Sequence, residues 1–188
     1  MNEAIVWCSI NYFSLYRSDY TLSSYHQLIS LVTSQQISFE AGRNLRKQLY
    51  LEVGYPLTPQ NISSINLSKY LTPAKQFTVR AITEMALLDN NDLINRVKNI
   101  KGVGPWTLKG AYILTEVSQE EPLFEDAYVR KRLSEIFGLT IGIKEAKTFF
   151  DTLPDNKRSI VSYFLWRIRK TSTWKVSRGE RLERSDFL

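Results

Sequence analysis

A glycine turn near the middle of the chain, from Ile100 to Thr107, restricts the fold more than any other segment. Gly102 and Gly104 flank Val103 in this turn, and Pro105 follows directly. Glycine tolerates positive φ and has no Cβ, so the backbone here can bend sharply and approach another surface closely. Proline fits the first position of a helix because the N–H that it lacks would have no helical partner there. The segment therefore predicts two short helices joined by a tight turn.

The rest of the chain reads as a series of short helices. There are 8 glycines and 6 prolines among 188 residues, and apolar residues recur mostly at helical spacing. Ser38 is placed to cap a helix that carries Phe39 and Leu49 on one face, and Gly138 to end a later helix in a left-handed cap. We expect an all-α protein, either one compact domain or two helical lobes flanking a cleft. The basic segment at about 171–188 is expected to be a solvated or frayed tail.

The composition favours an intracellular protein with a polyanionic partner. The formal net charge is +6, and basic side chains release counterions when they neutralise phosphates; a basic protein without such a partner is the alternative. Cys8 and His26 are the only residues of their types, which excludes an intrachain disulfide, a zinc finger and an iron–sulfur cluster. Residues 1–14 contain neither a basic n-region nor a long apolar run, so we expect no signal peptide and no membrane span.

The hairpin, at about residues 92–117, is suited to hold a DNA phosphate. The N–H groups of Gly102, Gly104 and the start of the Pro105 helix can form an anion-binding concavity, while Val103 points back between the helices. Such a turn grips a DNA backbone without reading its sequence. An ordinary helix corner with a glycine cap is the alternative.

The carbonyl groups of this turn suggest a second kind of ligand. Those of Ile100 and Val103 are candidates to hold a monovalent cation, Na⁺ or K⁺, in a structural role. Lys101 and Thr107 complete the candidate DNA contacts of the hairpin. No other metal is predicted, and no cofactor is expected to be required.

Four stretches follow one another along the chain in a recognisable order. They are Thr33-Ser34-Gln35-Gln36-Ile37-Ser38, Ile100-Lys101-Gly102-Val103-Gly104-Pro105-Trp106-Thr107, Phe124-Glu125-Asp126-Ala127-Tyr128-Val129-Arg130, and Arg158-Ser159 with Tyr163-Phe164-Leu165-Trp166-Arg167. Together they resemble the helix-hairpin-helix (HhH-GPD) DNA glycosylases, specifically the 3-methyladenine DNA glycosylase II, or AlkA-like, branch. The resemblance implies that residues 1–188 form a single glycosylase unit, a monomer whose partner is double-stranded DNA with a damaged base.

The third stretch resembles the family segment that bears the catalytic aspartate, which implies that Asp126 is catalytic. Cleavage of an N-glycosidic bond builds positive charge on the sugar, and a nearby carboxylate stabilises that charge and orients a water. One carboxylate suffices when the leaving base is already cationic, as an alkylated purine is. The alternatives are that Asp126 only caps the helix that follows it, or that the adjacent Glu125 is the acid.

The resemblance also distinguishes hydrolysis from strand cleavage. Relatives that cleave the strand use a lysine on the second hairpin helix to form a Schiff base. Trp106 occupies that position here, and neither Lys101 nor Lys109 matches it. We therefore expect a monofunctional glycosylase without lyase activity.

The flipped base of such an enzyme enters an aromatic pocket. The resemblance places Trp106 and Trp166 there, with Tyr112 and Tyr128 as additional candidates; for each of them core packing is the alternative. The residue that fills the gap in the duplex matches Gln36. Arg158 and Ser159 are further candidate DNA contacts from the terminal helix.

Two departures from the family pattern concern the lesion. Gly110 lies one turn after Trp106, where the family often has a large residue, so the pocket is expected to be more open. Arg167 stands where AlkA-like proteins can have an aromatic residue. The main hypothesis is hydrolysis of alkylated purines of the 3-methyladenine and 7-methylguanine type in base excision repair. The alternatives are a glycosylase for a deaminated, oxidised or mismatched base, and a noncatalytic DNA-binding module.

Overall fold

The structure is a computed structural model, and it describes residues 2–16, 22–115, 121–180, 182–183 and 186. Within these ranges the chain forms helices and no β-strand, which confirms the all-α prediction. No helix among them is long and apolar enough to cross a membrane. The α-helices are α1 (Asn2–Tyr16), α2 (Ser24–Ser34), α3 (Phe39–Val53), α4 (Pro59–Ser63), α5 (Pro73–Leu88), α6 (Leu93–Arg96), α7 (Pro105–Leu114), α8 (Ala127–Phe137), α9 (Ile143–Asp151), α10 (Asp155–Arg167) and α11 (Thr173–Ser177).

Residues next to the helix ends explain where several helices begin and end. The Ser23 hydroxyl accepts the N–H of His26 at 3.2 Å at the start of α2. Ser38 caps α3 in the same way, as predicted. Gly138, with φ 67°, ends α8 in the predicted left-handed conformation. These ends are set by local backbone chemistry, which is why the sequence located them.

The helices form two compact units. One contains α2 to α7, residues 21–115; the other combines α1 with α8 to α11, residues 1–20 and 116–188. In the first unit, α2 packs against α3, α5 and α7. In the second, α10 packs against α1 and α8. The second unit therefore depends on both ends of the sequence.

The face of α3 that carries Phe39 and Leu49 is only partly buried. Leu49 is fully buried, but Phe39, in the first turn, has 38% of its surface exposed. A helical period identifies the face of a helix that packs, but it does not show how far along the helix the neighbouring element extends. Phe39 therefore lies beyond the part of this face that is buried.

The expectation of a frayed basic tail at 171–188 is wrong for the part of this segment that the structure describes. Helix α11 packs against α8, and Asp186 has only 4% of its surface exposed. The Asp186 carboxylate accepts the Ser172 hydroxyl at 2.6 Å and pairs with the Lys175 ammonium at 2.9 Å. Burial opposes ionisation, but these contacts and the N–H of Glu183 outweigh it and hold the pKa of Asp186 below its usual value. A basic side chain in this segment thus serves to hold the segment in place.

The first unit contains a buried histidine whose ring is held neutral. His26 has 3% of its surface exposed, and its Nδ1 accepts the N–H of Leu57 at 3.0 Å. The ring stacks on Tyr50 at 5.9 Å between centroids. Burial, with a smaller contribution from the nearby Arg46 charge, lowers the pKa of His26 to about 4. Protonation of Nδ1 would also remove the acceptor for Leu57.

We expect His26 to make the free energy of unfolding decrease as the pH is lowered below about 6.5. Unfolded, the ring has a pKa near 6.5, so between pH 6.5 and 4 the unfolded chain binds the proton that the folded chain excludes. Lowering the pH from 7.5 to 5 should therefore reduce the free energy of unfolding by about 2 kcal/mol on account of this group. Urea unfolding at each pH measures it. His26→Asn keeps an acceptor for Leu57 without titrating, so the variant should lose less stability; equal losses would contradict the assignment to His26.

Candidate functional site

The predicted hairpin is present in the first unit. Helix α6 continues as a 3₁₀ turn over Val97–Asn99, and Pro105 occupies the first turn of α7, as predicted. The N–H of Val103 donates to the Ile100 carbonyl at 2.9 Å, which closes the turn, and the Val103 side chain is buried. Helix α7 ends at Leu114; the expected continuation to about Val117 lies partly outside the described residues.

The two glycines of the turn have different roles. Gly102 has φ 95°, and a Cβ at this position would lie 2.2 Å from the Thr78 hydroxyl oxygen. Both conformation and space therefore require glycine. Gly104 has φ −99°, and a Cβ there would meet no atom within 4 Å. Gly104 thus does not use the positive φ that glycine allows; it is the extended N-cap residue of α7 and leaves open space at the start of that helix.

Side chains from outside the hairpin fix the peptide groups of the turn. The Thr78 hydroxyl donates to the Lys101 carbonyl at 2.8 Å, and Gln35 Nε2 donates to the Gly102 carbonyl at 2.9 Å. The C=O and N–H of a trans peptide point in opposite directions, so the N–H of Gly102 faces away from Thr78. Sequence reasoning did not identify Thr78 or Gln35 as functional. Gln35 had one signal, its place beside Gln36, and Thr78 had none.

Thr107 and Lys101 differ as candidate DNA contacts. The Thr107 side chain has 1% of its surface exposed, and its hydroxyl accepts Gln35 Nε2 at 2.7 Å. The Thr107 hydroxyl is thus engaged inside the protein, and the DNA contact predicted for this residue stays a prediction. Lys101 is exposed at the turn, and its role as a phosphate contact stays a prediction.

The suggested cation site likewise stays a prediction. The Ile100 carbonyl accepts one hydrogen bond from Val103, and a carbonyl oxygen has two lone pairs, so the bond does not exhaust it. Among the described residues, no cluster of histidine, cysteine and acidic side chains is arranged to hold a metal ion.

The aromatic residues of α7 lie on different sides of the helix. Trp106 is partly exposed, and Tyr112 lies about 120° away around the axis at 100° per residue. The Tyr112 hydroxyl donates to the Asn95 side chain, and burial together with the Asp92 charge raises the pKa of Tyr112. This bond within the hairpin favours packing for Tyr112 over pocket lining. Gly110 is buried, so its missing side chain does not open the helix surface to solvent.

Gln36 lies exposed at the junction between α2 and α3. Its φ is 57°, in the left-handed region that non-glycine residues seldom adopt. The side chain is therefore presented at the surface of the same unit that contains the hairpin. The gap-filling role stays a prediction.

In the second unit, Asp126 is the N-cap residue of α8. Its Oδ1 accepts the N–H groups of Tyr128 at 2.8 Å and Val129 at 2.9 Å. The capping interpretation is therefore confirmed. It does not exclude catalysis, because the two N–H groups hold the carboxylate in a defined orientation.

Tyr128 covers a buried arginine. The Arg132 guanidinium lies 4.2 Å from the centre of the Tyr128 ring and donates to its hydroxyl. Arg132 also donates to the Ile168 carbonyl at 2.9 Å and pairs with Glu135 at 2.6 Å. These contacts favour the packing alternative for Tyr128.

Helix α10 carries two arginines that are engaged in structural contacts. Arg158 donates to the Phe150 carbonyl at 3.1 Å, near the end of α9, and pairs with Asp155 at 2.9 Å. The guanidinium thus caps the end of α9, and the DNA contact predicted for Arg158 stays a prediction. Arg167 donates to the Tyr12 hydroxyl at 3.2 Å, and burial raises the pKa of Tyr12.

The remaining candidates of α10 are accessible in part. Trp166 and Ser159 are each half-buried, and their assignments to the base pocket and to DNA contact stay predictions. The structure thus brings Gln36, Trp106 and the hairpin glycines together in the first unit, whereas Asp126 and Trp166 belong to the second.

Comparison with known proteins identifies the fold. No model of a protein family matches the sequence, and neither does any curated protein sequence. Among solved structures, the chain is similar to the Schizosaccharomyces pombe 3-methyladenine DNA glycosylase Mag1, solved in complex with abasic DNA. The TM-score is 0.63 at 20% sequence identity, over 93% of this chain and 98% of that one. The chain therefore has the all-helical fold of a 3-methyladenine DNA glycosylase, as its resemblance to the helix-hairpin-helix glycosylases implies.

Proposed function

We propose that this chain is a monofunctional DNA glycosylase that hydrolyses the N-glycosidic bond of alkylated purines in duplex DNA, as a step of base excision repair. The observation that carries the proposal is the Asp126 carboxylate, which two backbone N–H groups orient in a chain with a glycosylase fold. The similar solved structure is that of a 3-methyladenine DNA glycosylase, which supports the choice of lesion.

Asp126 stabilises the positive charge that develops on the sugar as the base departs. The reaction requires the carboxylate only to stabilise this charge and to orient a water, so a carboxylate fixed at the start of a helix is sufficient. A purine alkylated at N3 or N7 leaves without a strong general acid, because it is already cationic. This chemistry matches a site with one assigned carboxylate and no assigned acid.

The hairpin holds the phosphate backbone near the lesion. Gly104 leaves open space at the N-terminus of α7, where the first N–H groups have no acceptor within the helix. A phosphate can approach these groups, and the exposed ammonium of Lys101 adds a positive charge beside them. Binding of this kind is independent of sequence, as a search for damage requires.

Trp106 supports hydrolysis rather than lyase chemistry. It stands where lyase relatives carry the nucleophilic lysine, and its partly exposed ring has the electron-rich face that stacks on a cationic base. The alternative lesions, a deaminated, oxidised or mismatched base, keep the same reaction and differ in the base that the pocket accepts.

A base-release assay tests the proposal. The protein is incubated with duplexes that carry one lesion each, alkylated, deaminated, oxidised or mismatched, and alkali then converts abasic sites to strand breaks. We expect breaks in the alkylated duplex only, and only after alkali. Binding without release from any duplex would establish the noncatalytic alternative, and a product trapped by borohydride would contradict the absence of a Schiff-base lysine.

A further inference from the structure

The backbone at Gln36 is held in an unfavourable conformation. A left-handed φ is unfavourable for a non-glycine residue, and such conformations persist where the surroundings impose them. The side chain is exposed, so burial does not repay this cost. The contacts on either side of Gln36 therefore decide its position.

Both sides of Gln36 are fixed. The Lys75 ammonium, from α5, donates to the Thr33 carbonyl at 2.9 Å and to the Gln35 carbonyl at 2.7 Å. The Gln35 carbonyl belongs to the peptide group that leads into Gln36. On the other side, Ser38 accepts the N–H of Ala41 at 3.2 Å and starts α3. Gln36 is thus an exposed residue in a short connection with anchored ends.

The side chain of Gln35 connects this junction to the hairpin. Its amide nitrogen donates both to the Gly102 carbonyl and to the Thr107 hydroxyl, at 2.9 and 2.7 Å. One residue therefore contacts the turn and the first turn of α7, while its own carbonyl is held by Lys75. Movement of the hairpin relative to Gln36 would break these bonds.

We propose that Gln35 is a positioning residue that sets the exposed side chain of Gln36 at a fixed place relative to the phosphate-binding turn. The inference rests on the proposed function, in which the hairpin grips DNA and Gln36 fills the gap left by the flipped nucleotide. A phosphate bound at the turn then fixes how deeply Gln36 enters the duplex, which makes gap filling and phosphate binding one step.

The coupling between positions 35 and 36 tests this role. The probes are a duplex with one tetrahydrofuran abasic-site analogue and the same duplex without it, and the measurement is the Kd of each. In the wild-type background we expect Gln36→Ala to weaken binding to the abasic duplex about tenfold. Gln35→Met removes the amide donor and keeps a side chain of similar length. In this background Gln36→Ala should weaken binding to the abasic duplex by less than about twofold. Equal effects in the two backgrounds would overturn the proposal, as would a Gln36→Ala change without effect in the wild type.

Two further backgrounds separate positioning from a general loss of structure. Thr78→Val removes the hydroxyl that holds the Lys101 carbonyl but leaves Gln35 in place, so it should weaken binding to both duplexes and preserve the tenfold effect of Gln36→Ala. Lys75→Met releases the Gln35 carbonyl, so it should reduce the effect of Gln36→Ala on binding to the abasic duplex, as Gln35→Met does. Thermal melting shows whether Gln35→Met folds, and Lys75→Met replaces it in the test if it does not. A reduced effect with Thr78→Val as well would show that any perturbation of the turn suffices, against a specific role for Gln35. Base release by the wild type reports separately on the proposed function.

Discussion

Replacing Asp126 with asparagine is expected to reduce the rate of base release about a hundredfold to a thousandfold, since one electrostatic group aimed at a developing charge contributes on that scale. Stability should change little. Asparagine caps a helix as well as aspartate does, so its side-chain oxygen can still accept the N–H groups of Tyr128 and Val129. The measurement is single-turnover release of the alkylated base, with urea unfolding in parallel.

Two companion variants separate capping from chemistry. Asp126→Ala should be as inactive as Asp126→Asn but also about 1 kcal/mol less stable, because the cap is lost. Glu125→Gln, at the adjacent exposed acid, should retain activity. The catalytic carboxylate would be misassigned if Asp126→Asn kept full activity. The same would follow if Glu125→Gln lost activity while Asp126→Asn did not.

Alanine is expected to lower the stability of the protein at Gly102 and to leave it nearly unchanged at Gly104. Gly102→Ala combines a disfavoured φ of 95° with a Cβ that would lie 2.2 Å from Thr78, and should cost about 2 to 3 kcal/mol. Gly104→Ala should stay within about 0.5 kcal/mol of the wild type, because a slightly poorer N-cap is offset by a less flexible unfolded chain.

DNA binding should nevertheless fall for both variants. The Gly104→Ala methyl would enter the open space where a phosphate approaches the start of α7, so we expect about a tenfold loss of affinity for any duplex, damaged or not. Urea unfolding and Kd for undamaged DNA at one fixed salt concentration measure the two effects. Wild-type affinity of Gly104→Ala, or a loss confined to damaged DNA, would count against the phosphate-binding role.

The predictions confirmed by the structure depend on residues that are neighbours in the sequence. Ser38 caps α3, Gly138 ends α8 and Pro105 begins α7, because each signal acts through the backbone within one helical turn. Gly102 was identified for the same reason, since only glycine readily supplies its φ. Asp126 was correctly placed at a helix start, although position alone does not distinguish a cap from a catalyst.

Several candidate site residues are engaged in contacts inside the protein that their residue types do not reveal. Thr107 and Arg158 have residue types suited to DNA contact, yet Thr107 bonds to Gln35, and Arg158 caps α9. Tyr128 is drawn to Arg132, one turn away, but that arginine is fixed by the carbonyl of Ile168. Residue type gives the bonds that a side chain can make, whereas packing decides which of them it makes.

The sequence by itself determined the all-helical class and the hairpin, because periodicity, capping and glycine conformation are local properties, and its resemblance to the glycosylases singled out the carboxylate to test. Only the tertiary structure decided which candidates remain accessible to DNA and which are engaged inside the protein. It also revealed that Gln35 reaches across 67 positions to the Gly102 carbonyl. A bond over such a separation forms only when several helices have packed, and no local pattern in the sequence encodes it.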